Sequence, residues 1–562
     1  MPTLCRHSLT RLRLHPRLRT RLAIASAALI AACASAATFR VRAADSIGPD
    51  AASGRLVVFL IADSSIKKDD GSGGPLNPKA VPLDGPFWDS EEPIFAADVR
   101  ALKRGDAFEI NDAAEALSVK PSQLQPGGYR AQALLITRRT NSNWRRDAGN
   151  LFSSTPVHFE VPPGDANPQP VVDIVLDTAT TAQVRADADG IEWFSTLSTS
   201  LTAHRGRPVM MRAGVLFPQN YDPTRQYPAI YFIPGFGGDD TFVERLKSSQ
   251  ARSQDPALKE LAQNAFTIVL NPESPNGHTL FADSENNGPC GRALVEEFIP
   301  ALESKFPLIP KPEARLLRGH SSGGWSTLWL VLHYPQTFGA AWSSAPDPVD
   351  FRRFQLVNIY DDANFYQTTA PDGAVQQRPS VRRTSRDTGE SREIMTVRRE
   401  CRQEDMLGSD NTSGQQYDSW FAVAGPRNER GNPAALFDPL TGVIDRTIAE
   451  QYRAFDIGAL VRAAPDTYLP ILRDRVRLVC GDADNFYLNE AVRLFAHDVA
   501  TLDGQSIAAD TPAPFSWKPK SGGFSSIVLL PNYDHGTLNA AAEVRAFPKE
   551  MLDYLRTKGV LK

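Results

Sequence analysis

Residues 314–334 read ARLLRGHSSGGWSTLWLVLHY. A short apolar run ends at Gly319-His320-Ser321-Ser322-Gly323-Gly324, and an apolar stretch with helical character follows. The G-x-S-x-G pattern is common by chance, but a strand before it and a helix after it make it specific. In that context the serine sits on a tight strand-to-helix turn whose small neighbours let backbones approach closely. Ser321 is then exposed at the carboxyl end of a sheet, above a helix N-terminus that favours developing negative charge.

Working outward, the flanking sequence repeats the same alternation. Strands are expected at PAIYFIP (228–234), AFTIVLN (265–271), ARLLRG (314–319) and TFGAAWSSA (337–345). Helices are expected near 241–250, 255–264, 290–305 and 322–334. The pattern resumes with VRLVCG (476–481), a helix over Leu488–Thr501, SSIVLLP (525–531) and a helix near 540–557. Such alternation predicts a mainly parallel sheet covered on both faces. Before it, GRLVVFLIAD (54–63), GGYRAQALLITR (127–138), TPVHFEV (155–161) and QPVVDIVLD (169–177) are strand-like runs separated by turn residues, which predicts a β-sandwich-like domain. Between them, 350–460 breaks the alternation, and an inserted lid or cap, helical near 446–465, is expected there. The expected order is a leader over 1–36, the β-rich domain over 45–180 and a linker over 181–208. The α/β domain follows over 209–349 and 461–562, split by the insertion.

A nucleophilic serine needs a base, an orienting acid and an oxyanion site. His535, in PNYDHGTLN directly after the last strand, is the expected base. His158, His320, His333 and His497 have ordinary structural readings, and His204 and His278 are loop rivals. The acid is expected in Gly481-Asp482-Ala483-Asp484, at Asp484, with Asp482 beside it and Asp347 and Asp350 after the preceding strand as competitors. A carboxylate there fixes the imidazole tautomer and stabilises the imidazolium. The oxyanion donors are expected to be the N–H of Phe236, in Pro234-Gly235-Phe236-Gly237-Gly238, and that of Ser322. No phosphate loop, zinc-protease helix or clustered Cys/His is visible, so neither metal nor cofactor is expected. DDGSGG at 69–74 reads as a solvated turn.

These segments, with ADSENNGPCGRALVEEFIPALESKF (282–306), GHSSGGW, GDADNFY and DHGT, resemble the Putative esterase family of α/β-hydrolases, which includes esterase D, enterochelin esterases and feruloyl esterases. The resemblance spans roughly 205–345 and 465–562. It implies an α/β-hydrolase fold and a serine carboxylesterase with Ser321, Asp484 and His535 as its triad. The leading β-domain and the insertion depart from the simpler members, so the resemblance carries no substrate across. A peptidase or amidase on the same triad, and a binding protein on a hydrolase scaffold, are the competing readings.

Composition agrees with a globular chain rich in turns: 562 residues, 42% hydrophobic, 43 Pro and 38 Gly. Six arginines and no acid occupy the first 36 residues, and without those six the net charge of −4 becomes −10. A chain that acidic is a poor ligand for nucleic acid. The basic start, the apolar run Leu22–Ala37 and Ala34-Ser35-Ala36 form an export signal, with Cys33 in Ile30-Ala31-Ala32-Cys33 as an alternative lipid-anchor site. The run is short for a membrane span. An exported, periplasmic or secreted enzyme acting on a small or polymer-linked ester is therefore expected. Export permits disulfides, and Cys290 with Cys401 is the expected pair, since Cys480 reads as a core residue.

Overall fold

The computed structural model describes residues 37–47, 51–66, 83, 92–103, 105–163, 169–386 and 388–562. The expected leader with Cys33 and the expected turn at 69–74 fall outside the described residues. No helix among the described residues is long and apolar enough to cross a membrane.

The amino-terminal strands form two sheets. Ala51–Ala62 pairs antiparallel with both Ile94–Lys103 and Gly127–Ile136 in the larger one. Thr38–Ala43 lies between Ala107–Ile110 and Val171–Leu176 in a three-stranded sheet. The run LVVFLI is apolar throughout because both of its faces are buried. Leu56, Val58 and Leu60 point into the sandwich core with Phe39, Val41 and Ile174. Val57 and Phe59, one residue out of step, point the other way and pack with Trp144 and with Met406 of the insertion. The sandwich therefore uses its outer face to hold the rest of the molecule.

The sheet of the α/β domain has nine strands, in the order Ile191–Leu197, Met210–Leu216, Phe266–Leu270, Ala229–Ile233, Arg315–His320, Ala340–Ser344, Val476–Gly481, Ser526–Leu530 and Phe515–Trp517. The six from Phe266–Leu270 to Ser526–Leu530 are parallel, and the edges are antiparallel. From Ala229–Ile233 the chain crosses first to one side, then back to Arg315–His320 on the other. Loops leaving the carboxyl ends of those two neighbours diverge and open a crevice, the usual place for a ligand in such sheets. The expected linker over 181–208 is not one. It contributes the edge strand Ile191–Leu197 and the helix Thr199–Arg205. IEWFSTL alternates only loosely, as a strand on a sheet edge does, and that hid it.

The insertion is folded. It contains the hairpins Gln367–Thr369 with Val375–Gln377 and Pro379–Thr384 with Ser391–Thr396, and the helices Val397–Leu407, Gln416–Ala424 and Arg446–Tyr452. Its Phe354, Phe365, Trp420 and Phe437 are buried in the same apolar cluster as the parallel strands. This is one core shared by both segments of the α/β domain, which explains how so polar a stretch stays ordered.

Cys290, Cys401 and Cys480 are free, buried thiols, so the expected Cys290–Cys401 disulfide is not formed. Cys290 packs with Leu201 and Ala293 beneath the helix Thr199–Arg205, whereas Cys401 faces the main core from the helix Val397–Leu407. The insertion is held by other means, described below.

Candidate active site

Ser321 has φ 60° and ψ −129°, a conformation no helix or strand residue adopts, and the helix Ser322–His333 starts at the next residue. Such strain persists only where the surroundings enforce it. Here the enforcement is close packing. A Cβ on Gly319 would lie 2.1 Å from the Gly323 carbonyl oxygen, and one on Gly323 would lie 2.0 Å from that of Ile233. The pattern around the serine is thus a steric requirement of the turn.

The Pro234–Gly238 loop abuts that turn. A Cβ on Gly235 would come within 3.0 Å of Ser321 Cβ and 3.6 Å of its Oγ. Two side chains fix the loop from outside. His278 lies within hydrogen-bond reach of the Pro234 carbonyl through Nε2, at 3.1 Å, and its Nδ1 accepts the Leu280 N–H at 3.0 Å. Those partners make Nε2 the protonated nitrogen, and burial pushes the imidazole pKa down to about 4, so it stays neutral. Arg146 of the sandwich domain donates to the Gly237 carbonyl at 3.0 Å and pairs with Asp239 at 3.1 Å. Neither role was legible in the sequence, because nothing local marks a residue that braces a loop far away in the chain.

His535 Nδ1 lies 2.7 Å from Asp484 Oδ2, and Asp484 Oδ1 accepts the N–H of Phe486 at 2.9 Å. The carboxylate therefore holds the proton on Nδ1 and leaves Nε2 as an acceptor. Burial of Asp484 favours its neutral form, but His535 and these donors outweigh it and hold the carboxyl below its ordinary value. Burial lowers His535, while the Asp484 carboxylate raises it further, for a net upward shift. The His320 ring, centred 4.5 Å away, is pushed down to about 3 by burial and by His535 itself. A neutral His320 therefore adds no charge repulsion when His535 takes a proton.

The rival acids have other work. Asp482 Oδ1 accepts the Asn532 N–H at 2.7 Å, tying together the two loops that carry Asp484 and His535. Asp347 Oδ2 accepts from Ser322 Oγ at 2.9 Å, Gln416 Nε2 at 3.0 Å and Trp420 Nε1 at 3.3 Å. Asp350 is bound to Arg352 and Arg462. Of the remaining histidines, His333 and His497 bond to carbonyls of Trp329 and Ile507, His158 to Asp63, and His204 to Arg427.

Ser321, His535, Gly235 and Phe236 open into one cavity of about 300 Å³. The insertion supplies much of its wall through Phe354, Gln355, Glu400, Gln416, Tyr417 and Trp420. Elsewhere in the insertion, Phe365 and Tyr366 are wholly buried in the core, and Tyr360 donates to Asp456 at 2.9 Å.

The parallel sheet and the strained serine turn are those of an α/β-hydrolase-type fold. Residues 208–431 match the family described as "Putative esterase". The match covers less than half of the chain, and over that part it supports a carboxylic ester hydrolase of the α/β-hydrolase type. The matched residues include Ser321 and the Pro234–Gly238 loop, and end before Asp484 and His535. Among solved structures the chain is similar to a ferulic acid esterase, at 12% identity over 65% of this chain and 98% of that one, with a TM-score of 0.36. It is similar to an S-formylglutathione hydrolase from Agrobacterium tumefaciens at 13% identity, 66% and 97% coverage and TM-score 0.33. Est1E from Butyrivibrio proteoclasticus matches at 14% identity, 62% and 96% coverage and TM-score 0.32. No curated protein matches the chain.

Proposed function

We propose that the protein is an exported serine carboxylesterase working through an acyl-enzyme. Ser321 Oγ attacks the ester carbonyl carbon while His535 Nε2 takes its proton, and the carbonyl oxygen becomes an oxyanion facing the N–H groups of Phe236 and Ser322. Collapse of the tetrahedral species expels the alcohol, which receives the proton from His535. Water then attacks the acyl-Ser321 ester with His535 again as base, releasing the acid and restoring the serine. Asp484 keeps the imidazole in the tautomer that makes Nε2 basic. The observation that carries this reading is the 2.7 Å Asp484–His535 contact opening onto the cavity that holds a serine at φ 60°.

The insertion acts in this reading as a cap that shapes the cavity and limits water around the acyl-enzyme. The basic, apolar first 36 residues would direct the chain out of the cytoplasm, with Cys33 as the point of lipid attachment if it is retained as an anchor.

Purified protein should hydrolyse short acyl esters, and Ser321→Ala should reduce this below a few per cent while the variant melts as the wild type does. Matched anilides should react far more slowly than the esters. An anilide rate equal to the ester rate would make the enzyme an amidase, and undiminished turnover by Ser321→Ala would remove the serine from the mechanism.

A further inference from the structure

The cavity beside Ser321 is apolar along Pro348, Phe354, Trp420 and Phe486, but one point of its wall is a carboxyl group. Glu400 reaches it from the first turn of the helix Val397–Leu407 and is only 5% exposed. Its Oε2 makes no hydrogen bond of normal geometry, and the Ser380 hydroxyl nearby is likewise unsatisfied. A buried carboxyl oxygen left unpaired costs stability, and native structures keep few of them. Such a group is retained more readily where a ligand completes it.

The basic groups in its lining are the imidazoles of His320 and His535. The described residues lining the cavity include no Lys or Arg, and the other carboxyl among them, Asp347, is already satisfied by Ser322, Gln416 and Trp420. Behind Glu400, Glu404 and Asp418 are also buried, and Glu404 is taken up by the N–H groups of Tyr417 and Asp418. Burial pushes the Glu400 carboxyl up to about 7, with the Ser380 hydroxyl pulling the other way. The cavity thus carries an acidic point with no Lys or Arg in its described lining, set among aromatic faces that also favour positive charge.

The geometry points to Glu400 as a specificity residue of this site: it accepts from a hydrogen-bond donor on the group seated beside Ser321, binds an ammonium more tightly than a hydroxyl, and turns away a carboxylate. The substrate class is an ester whose cavity-bound part carries a protonated amine. Calling that part substrate rests on the Ser321 reading; the preference in binding does not.

Equilibrium binding separates the two. Three probes that share a phenethyl group, 2-phenylethylammonium, 2-phenylethanol and 3-phenylpropanoate, are titrated into the wild-type protein at about pH 8 by calorimetry. The ammonium should bind about tenfold or more tightly than the alcohol, as a charge-assisted bond exceeds a neutral one, and the carboxylate weakest. Glu400→Gln, which keeps shape and removes charge, should bring ammonium and alcohol within about threefold. Equal or tighter binding of the carboxylate by wild type, no binding of any probe, or an unchanged order in folded Glu400→Gln would overturn the assignment. The wild-type order decides the matter even if the variant fails to fold. Acetyl-ester turnover is followed in parallel. An inactive protein that ranks the probes as expected would refute the esterase mechanism and keep Glu400, and an active one that does not would do the reverse.

Discussion

At the scale of single residues, Asp484 and Asp347 both lie buried near the serine turn, and their partners separate them. Asp484 is joined to His535, whereas Asp347 is joined to Ser322, Gln416 and Trp420. Asp484→Asn should cut kcat by about a thousandfold or more, because the amide no longer holds the imidazole in the working tautomer. Asp347→Asn should cost much less, and a larger loss there than in Asp484→Asn would transfer the orienting role to Asp347. The same contact sets the pH profile. His535 acts as base only when neutral, and Asp484 raises its pKa, so kcat/KM should fall as pH drops through a value above that of an ordinary imidazole. The residual activity of Asp484→Asn should lose its acid limb at lower pH than wild type, and an unmoved limb would mean that another group titrates. These residues were legible in the sequence because turn chemistry places each at a strand end: Ser321 in G-x-S-x-G, Asp484 after VRLVCG and His535 after SSIVLLP. His278 and Arg146 were not, since a brace is defined by what it meets in space.

At the scale of elements, the insertion does more than roof the cavity. Arg382, on its hairpin strand Pro379–Thr384, donates to the carbonyls of Asp484 at 2.9 Å and Asp482 at 2.7 Å. Its backbone exchanges hydrogen bonds with the Asn485 backbone and side chain, and Asn485 in turn accepts the His535 N–H. The hairpin therefore holds the turn that carries the acid. Arg382→Ala should lower kcat about ten- to a hundredfold on every ester alike, as displaced catalytic groups do, with KM little changed. A selective loss on large esters alone would make Arg382 part of a specificity wall instead. For the same reason, exchanging all of 375–400 for a flexible linker would remove Arg382 and Glu400 together, so a selective effect of that exchange is not expected. Shortening only the tip at the exposed residues 388–390 should leave turnover of small esters intact. The sequence showed this segment only as a broken alternation, polar and basic. Arg378, Arg382 and Arg446 spend their charge on carbonyls and a carboxylate of the fold, which composition alone does not distinguish from a solvated loop.

For the whole molecule, two of the places that fasten the sandwich to the α/β domain bear on the site. Arg55 donates to the carbonyls of Met406 at 3.1 Å and Asp405 at 2.7 Å, and Arg139 to that of Leu407 at 2.8 Å, where Met406 is sealed against Val57 and Trp144. Arg146 reaches the Pro234–Gly238 loop itself. A chain lacking residues before about 181 should therefore expose apolar surface on the helix Val397–Leu407 and aggregate, whereas Arg146→Ala should fold and lose mainly kcat through a looser oxyanion loop. A soluble, fully active truncation would show the sandwich to be a dispensable appendage. The two-part plan was readable from periodicity, period two before residue 180 and strand–helix alternation after 209, but the contacts between the parts were not, because both faces of GRLVVFLIAD read alike. The central claim is that Ser321 carries the acyl group between two half-reactions. Its most direct test is intact-protein mass spectrometry after brief reaction with a fluorophosphonate, followed by mapping of the labelled peptide. The account predicts one adduct, on Ser321, absent from Ser321→Ala and slowed in Asp484→Asn. Labelling at another residue, or ester turnover by a protein that takes no label, would contradict it.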